Sequence, residues 1–521
     1  MSEKVILGVG GLLNDAAAAI LHDGRLAAAV EEKKVAGVHA PGDLPAAAIE
    51  ACLQIAGLRP EQVTCIAVAR PVAAGRESTL HGRLHDWFAQ SRLYLVDHHR
   101  AHAASAFYLS PFDEATVLTL DRFGDFQTGA RWQGQGHELR LQRELYYPDS
   151  LGDLYSRTTE FLGFRPNADE HRVQWLSTQG QPELASLFEE IIGADSNGWP
   201  KFDRSFFGGA VVGQGGYGEK FLERLPANLG TQGRAHLAAS LQKAIERAVI
   251  RMAGGASRVC LAGGLSMNVL LVAALEEHFD VFVQPAGGNA GTAIGAALEA
   301  WHGLYGEQRR QQLESLFLGP EFHAEEIKRV LENCKLRFRY LLTTDELIDA
   351  AVGELSLNRI VAWMQGRMEF GPRALGNRSI LASPLDPYST ENLNVFIKHR
   401  EPYRKFAASV PEEAAEEYFQ TGPNARFLAT VGRVRPAHRK QFEPALLDDA
   451  RIRVHVVRQK ENPLFHRLLM EAGRKFGLPV LYNTSFNLFG GPLVCSPRDA
   501  VRNFYSSGID SLFAGHFFVQ K

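Results

Sequence analysis

The chain has 521 residues, 45% hydrophobic and 22% charged, with 56 Lys plus Arg against 59 Asp plus Glu for a formal charge of −3. At about 100–200 residues per domain this length predicts two to four domains, each large enough to bury a core. The composition excludes a mainly disordered chain, and the balanced charge excludes a dedicated nucleic-acid coat or an anionic-membrane binder.

Met1-Ser2-Glu3-Lys4 leads directly into Val5-Ile6-Leu7, without the apolar stretch of a signal peptide. No run of about 18 apolar residues occurs, so no transmembrane helix is expected. Five scattered cysteines form no CxxC pair, which fits neither a disulfide framework nor a zinc ribbon. A cytoplasmic protein is the expectation.

Residues 5–9 read as a buried strand ending among glycines. Residues 16–21 and 26–30 flank His22-Asp23-Gly24-Arg25, and an Asp-Gly pair between apolar runs signals a hairpin. Residues 46–57 have helical periodicity through Ile49, Leu53 and Ile55. The order recurs: residues 116–120 form a strand, Asp121-Arg122-Phe123-Gly124-Asp125 a polar turn, and 128–132 with 138–141 a second hairpin. A strand, a polar turn and a hairpin, occurring twice, is the layout of the actin-like ATPase fold. Further on come an amphipathic helix over 236–252, a short strand over 259–262 and a small-residue helix over 290–298. Residues 306–345 are polar and read as a connection between a first unit, 1–305, and a second, 346–521. The second contains strands over 360–364 and 479–482.

Several clusters could carry chemistry. In His98-His99-Arg100-Ala101-His102 the outer histidines are four apart. On a helix they share a face, either as a metal pair completed by Asp121 or as surface and capping histidines. Gly366–Ser379 packs three arginines and three glycines into fourteen residues after a strand. Arginine forks and glycine-exposed N–H groups suit an anion, with a solvated charged face as the alternative. Lys398-His399-Arg400-Glu401-Pro402-Tyr403-Arg404 is again basic, and Asn483-Thr484-Ser485-Phe486-Asn487 is a polar turn after a strand. Gly263-Gly264-Leu265-Ser266-Met267-Asn268 and Pro285-Ala286-Gly287-Gly288-Asn289-Ala290-Gly291 suit phosphate or simply tight packing. Neither is a Walker A loop or a Rossmann fingerprint.

Together these stretches resemble the O-carbamoyltransferase family of antibiotic-tailoring and nodulation-factor enzymes. The signature covers 98–112, 367–383, 398–409 and 483–487, and the likeness spans nearly the whole chain. It implies an α/β protein with two parts. The N-terminal part would be similar to the universal tRNA-threonylcarbamoyl-transfer protein, with the actin-like ATPase fold in duplicated halves. The C-terminal part would be a YrdC-like α/β domain. The implied reaction forms carbamoyl-adenylate from carbamoyl phosphate and ATP in the C-terminal part. The N-terminal part then transfers the carbamoyl group to a hydroxyl of a small-molecule acceptor beside a divalent metal such as Fe(II), Mg or Zn.

Carried over by position, His98, His102, Asp121 and Asn289 stand at the metal, and Arg367, Arg373, Arg378, Lys398, Arg400 and Arg404 at the catalytic site of adenylate formation. Asn483, Ser485 and Asn487, with Gly263, Gly264 and Asn268, are expected to bind nucleotide. Several positions depart from the family pattern. Asn289 replaces an aspartate and Arg122 a glycine. Asn14-Asp15 replaces His-Asp, Gly37-Val38-His39-Ala40 replaces a basic stretch, and residues 172–177 and 487–492 also differ. These departures define an alternative: a degenerate paralogue, pseudoenzyme or partner subunit that binds nucleotide while its N-terminal chemistry is lost or altered. A homodimer or a paralogous partner is compatible with either reading.

Overall fold

The computed structural model describes residues 3–72, 75–209, 216–226, 228–448, 450–488 and 490–521. Met1-Ser2 at the expected N-terminal lead, and Phe489 within the departing 487–492 motif, lie outside them. The chain forms two compact units. Unit 1 comprises Met1–Leu26, Pro41–Leu44 and Pro60–Leu313; unit 2 comprises Ala27–Ala40, Pro45–Arg59 and Glu314–Lys521. Two N-terminal segments thus count with the second unit. Sequence order does not reveal this, because membership is decided by contacts with residues far along the chain.

In unit 1 the strand Val5–Gly10 is buried at every position, which explains its continuous apolar run. It pairs antiparallel with Ala17–His22 and parallel with Cys65–Ala69, which in turn pairs parallel with Arg92–Val96. The hairpin turn takes φ of 45° at Asp23 and 77° at Gly24, as the Asp-Gly pair predicts. Glu114–Gly124 repeats the scheme. It pairs antiparallel with Gln127–Gln135 and parallel with Arg258–Ala262, which is parallel to Asp280–Val283. Twice, a central strand has a hairpin partner on one side and two parallel strands on the other. This repeated order defines a duplicated actin-like fold.

The helix that follows each half's last strand is exchanged. His98–Phe107 packs on Glu114–Gly124 and Arg258–Ala262, and the helix Gly291–Glu299, which follows Asp280–Val283, packs on Val5–Gly10. The two helices meet at Gly295, where a Cβ would lie 1.8 Å from the Ala101 carbonyl oxygen. The small residues of 290–298 therefore serve close packing.

Unit 2 is an α/β unit on a mixed ten-stranded sheet. Its centre runs Ser511–Ala514, Val361–Met364, Arg378–Ala382, Leu481–Ser485, Ala407–Pro411 and Arg451–Val457. Alternation sorts the side chains by face. Ala362, Ile380, Ala408, Val454 and Leu512 join one core. Val361, Leu381, Leu481 and Phe513 join another, beneath the helices Thr344–Ser356 and Pro463–Phe476. Among the described residues no helix is long and apolar enough to cross a membrane.

Gly295→Ala is expected to push the two helices of unit 1 apart and to destabilise the protein by about 1–3 kcal/mol or more, as overpacking does. Thermal denaturation measures this; an unchanged Tm would contradict the close crossing.

Candidate functional site

Each unit brings together one group of the predicted residues. In unit 1, His98 opens the helix His98–Phe107 and His102 lies one turn on, so both rings project from one face. His98 Nδ1 lies 3.0 Å from the Arg70 carbonyl oxygen. A carbonyl only accepts, so Nδ1 carries the proton and donates, which leaves Nε2 to face inward. The two Nε2 atoms are 3.1 Å apart, and they lie 2.9 Å (His98) and 3.2 Å (His102) from Asp121 Oδ2.

Burial raises the pKa of the Asp121 carboxyl, but hydrogen bonds with His102 and His98 outweigh it and hold the group well below the usual carboxylate range. Burial, then the neighbouring His98, lowers that of His102. An ionised carboxylate oxygen thus meets two imidazole nitrogens that also face each other. A shared proton or a divalent cation satisfies that arrangement, and a His₂-carboxylate donor set fits such an ion. Gly124 admits the His98 ring, since a Cβ there would lie 2.1 Å from Cδ2.

The other unit 1 candidates have other surroundings. Asn289 makes no side-chain hydrogen bond to a described residue; its backbone oxygen accepts from Thr292 Oγ1 at 2.6 Å. A Cβ on Gly264 would lie 3.0 Å from Asp121 Oδ1, and one on Gly263 2.2 Å from the Leu120 oxygen. These glycines let the turn approach the end of the Asp121 strand. Asn268 caps the helix Val269–Glu276, accepting from the N–H groups of Leu270 and Leu271, while its Nδ2 donates to Gln242 at 2.7 Å. Both polar ends of Asn268 are therefore engaged within the protein. Arg122 turns away from the strand to Asp153, 3.0 Å from its Nε, and to Asn167. It lines a cleft of about 410 Å³ together with Asp153, Ser156, Arg157 and Phe161.

In unit 2 the cations converge. Lys398, Arg373, Arg400 and Arg404 are each half-buried, and Arg453 joins them from the strand Arg451–Val457. Burial pushes Arg373 down to about 10. Burial, then Arg404, pushes Arg400 down to about 9. Burial and the charges of Arg373, Arg400 and Arg404 hold Arg453 well below the usual arginine range. Burial, with Arg400 and Arg404, does the same to Lys398. Glu401, 3.6 Å from Arg404, is an acid that offsets them, and Arg400 Nη2 is buried with no hydrogen-bond partner among the described residues. Such a group is stabilised by an anion with many oxygens.

The remaining predicted residues shape this group. Lys398 Nζ donates to the backbone oxygens of Ser485 (2.6 Å) and Asn487 (2.7 Å) and to Asn487 Oδ1 (2.8 Å), so it fixes the polar turn while adding its charge. Ser485 Oγ donates to the same Oδ1 at 2.6 Å. Asn483 Nδ2 donates to the Ala374 oxygen and to Ser409 Oγ, both at 3.1 Å, and Ser409 Oγ faces His455 Nδ1 at 3.0 Å. Burial pushes His455 down to about 3, so it is neutral.

Arg367 and Arg378 stand apart. Arg367 donates to the oxygens of Gly319, Ala27 and Leu318. Arg378, fully buried, donates to those of Gln365, Gly366, Asn377, Pro320 and Cys495. Both arginines hold loops together. Arg453, Ser409 and His455 are additional residues; the sequence signal of Arg453 and His455 is polar alternation within a strand, Arg451, Arg453 and His455 between Ile452, Val454 and Val456.

The chain thus joins a duplicated actin-like unit with a His₂-carboxylate cluster to an α/β unit with a cluster of half-buried cations. The comparisons supply the family. The Carbamoyltransferase N-terminus family model matches residues 78–298, and the Carbamoyltransferase C-terminus model matches 352–521. An uncharacterized protein of Synechocystis sp. is 32% identical, over 99% of this chain and 96% of that one. The nodulation protein NolNO of Sinorhizobium fredii is 32% identical, over 98% of this chain and 79% of its own. The 3′-hydroxymethylcephem-O-carbamoyltransferase of Amycolatopsis lactamdurans is 28% identical, over 82% and 81%. The chain belongs to the carbamoyltransferase family. Among solved structures, component A of the Acidaminococcus fermentans (R)-2-hydroxyglutaryl-CoA dehydratase is 15% identical with a TM-score of 0.38, over 58% of this chain and 99% of that one. That score is too low to define a fold, which the repeated strand order defines instead.

Two substitutions separate scaffold from site. Arg378→Met removes five donations to carbonyl oxygens, three of them buried, and is expected to cost about 3–5 kcal/mol in denaturant titration. Arg453→Gln relieves cation repulsion, so it should leave Tm unlowered while weakening inorganic pyrophosphate binding about tenfold or more in calorimetry. The reverse pattern would contradict the assignment.

Proposed function

We propose that the chain is an ATP-dependent O-carbamoyltransferase. Unit 2 forms carbamoyl-adenylate from carbamoyl phosphate and ATP, and unit 1 transfers the carbamoyl group to a hydroxyl of a small-molecule acceptor. The observation that carries this reading is the convergence of Arg373, Arg400, Arg404 and Arg453, with Lys398. Carbamoyl phosphate and ATP together present many anionic oxygens, and fixed cations would neutralise and orient them.

The atoms balance with one water. Carbamoyl phosphate and water give carbamate and phosphate. A carbamate oxygen then attacks the α-phosphorus of ATP, and pyrophosphate leaves. In the second step the acceptor oxygen attacks the carbamoyl carbon, loses its proton, and AMP leaves with the bridging oxygen. In the first step the unit 2 arginines would hold the phosphates in line and stabilise the departing pyrophosphate. The neutral His455–Ser409–Asn483 line of hydrogen bonds holds the Ala374 oxygen, next to Arg373.

In unit 1 a divalent ion held by His98, His102 and Asp121 would supply Lewis acidity toward a carbonyl oxygen. His98 is oriented for this by its bond to the Arg70 oxygen. The cleft beside Arg122 and Asp153, which begins one residue after Asp121, supports an acceptor of ordinary small-molecule size. The name of one relative, a 3′-hydroxymethylcephem-O-carbamoyltransferase, agrees with a hydroxyl acceptor.

The test supplies carbamoyl phosphate, ATP and Mg²⁺ and measures pyrophosphate and carbamoyl-adenylate without any acceptor. The expected result is release of both, lost in Arg373→Ala. An inactive wild type under Mg²⁺, Zn²⁺ and Fe²⁺ alike would overturn the reading.

A further inference from the structure

Unit 2 contains a segment for which adenylate chemistry has no obvious use. Ala27–Ala40 enters it as the end of the strand Arg25–Glu31 and the short helix Glu32–Ala36. There Lys34 is 9% exposed, and it reaches one loop through two hydrogen bonds. Nζ donates to the Glu369 oxygen at 3.0 Å and to the Gly371 oxygen at 2.6 Å, and it pairs with Glu31. Glu31 Oε2 in turn accepts the Gly371 N–H at 3.2 Å. Val35 packs against the apolar group that contains Met368 and Ala374.

The same loop is gripped elsewhere. Glu369, itself fully buried, accepts through Oε1 from the N–H groups of Leu375, Asn377 and Arg378 at 2.8, 2.9 and 3.1 Å. Asn483 holds the Ala374 oxygen. Residues 369–378 are thus fixed by several independent contacts, and Arg373 lies within them. A buried ion pair is weak evidence for stability, because desolvation offsets much of the attraction. Its placement is better explained by the geometry that it imposes. Glu31 and Lys34 bind both the N–H and the C=O of Gly371, two residues before Arg373.

We propose that Glu31 and Lys34 form a positioning brace for the adenylate site: they set the Gly371–Arg373 loop so that the Arg373 guanidinium joins the cations facing the substrate phosphates. The inference rests on the reading of unit 2 as the adenylate-forming unit. Lys34 is a positioning residue, since its contacts reach the chemistry only through Arg373. Displacement by about 1 Å of a group that orients substrate can cost about 10²-fold in rate.

The experiment compares wild type, Lys34→Met, Lys34→Arg and the milder Glu31→Gln. It measures pyrophosphate release and, separately, amide hydrogen exchange across 369–378. Lys34→Met is expected to lower kcat about tenfold or more with the KM for ATP unchanged, and to speed exchange in that loop. Glu31→Gln should act in the same direction, and Lys34→Arg should restore most of the rate, which mere destabilisation would not produce. Wild-type rate and exchange in a folded Lys34→Met, or in Glu31→Gln where Lys34→Met fails to fold, would overturn the brace. Should wild type itself release no pyrophosphate, the adenylate reading falls. Exchange alone then judges the brace, and unchanged protection of 369–378 overturns it.

Discussion

Repulsion among the cations of unit 2 is the constraint around which that unit is organised. Arg373, Lys398, Arg400, Arg404 and Arg453 come from three separate stretches of sequence and are drawn to one half-buried place. Left free, such side chains would turn to water. They are kept together by surrounding polar contacts: Lys398 by the 485–487 turn, Arg400 by Asn394, and the Arg373 loop by Glu369, Asn483 and the Glu31–Lys34 pair. Energy held in mutual repulsion becomes affinity for an anion, because a ligand with many oxygens removes the repulsion when it binds.

Unit 1 poses the complementary problem. His98, His102 and Asp121 bring electron pairs together where unit 2 brings positive charge together. Here too close packing enforces the geometry. Gly124 admits the His98 ring, Gly264 admits the Asp121 carboxylate, and Gly295 seats the histidine helix. Arg122, held by Asp153 and Asn167, changes the turn after Asp121 from the family pattern without entering the trio. Asn289 makes no side-chain hydrogen bond to a described residue; its backbone oxygen holds Thr292.

What could be read from the sequence follows from how local each signal is. The first strand, both hairpins and the helices Gly230–Ala253 and Gly291–Glu299 announce themselves through apolar periodicity or an Asp-Gly turn. The short parallel strands Cys65–Ala69, Arg92–Val96 and Asp280–Val283 were not legible, because four or five apolar residues have no period of their own and owe their form to neighbouring strands. The spacing of His98 and His102 was legible, and only the structure brings Asp121 to them. Arginine density marks the cation cluster but not its membership. Arg378 looks equal to Arg373, yet it opens a central strand of the sheet, fully buried and bonded to carbonyls, whereas Arg453 arrives from a strand whose pairing with Ala407 no local pattern reveals.

In the proposed reaction the two units divide two chemical steps. The most direct measurement is pyrophosphate release and acceptor carbamoylation in His102→Ala, with carbamoyl phosphate and ATP supplied to the full chain. Pyrophosphate formation at the wild-type rate, with carbamoyl transfer lost, is the predicted result. Equal loss of both steps would contradict the division.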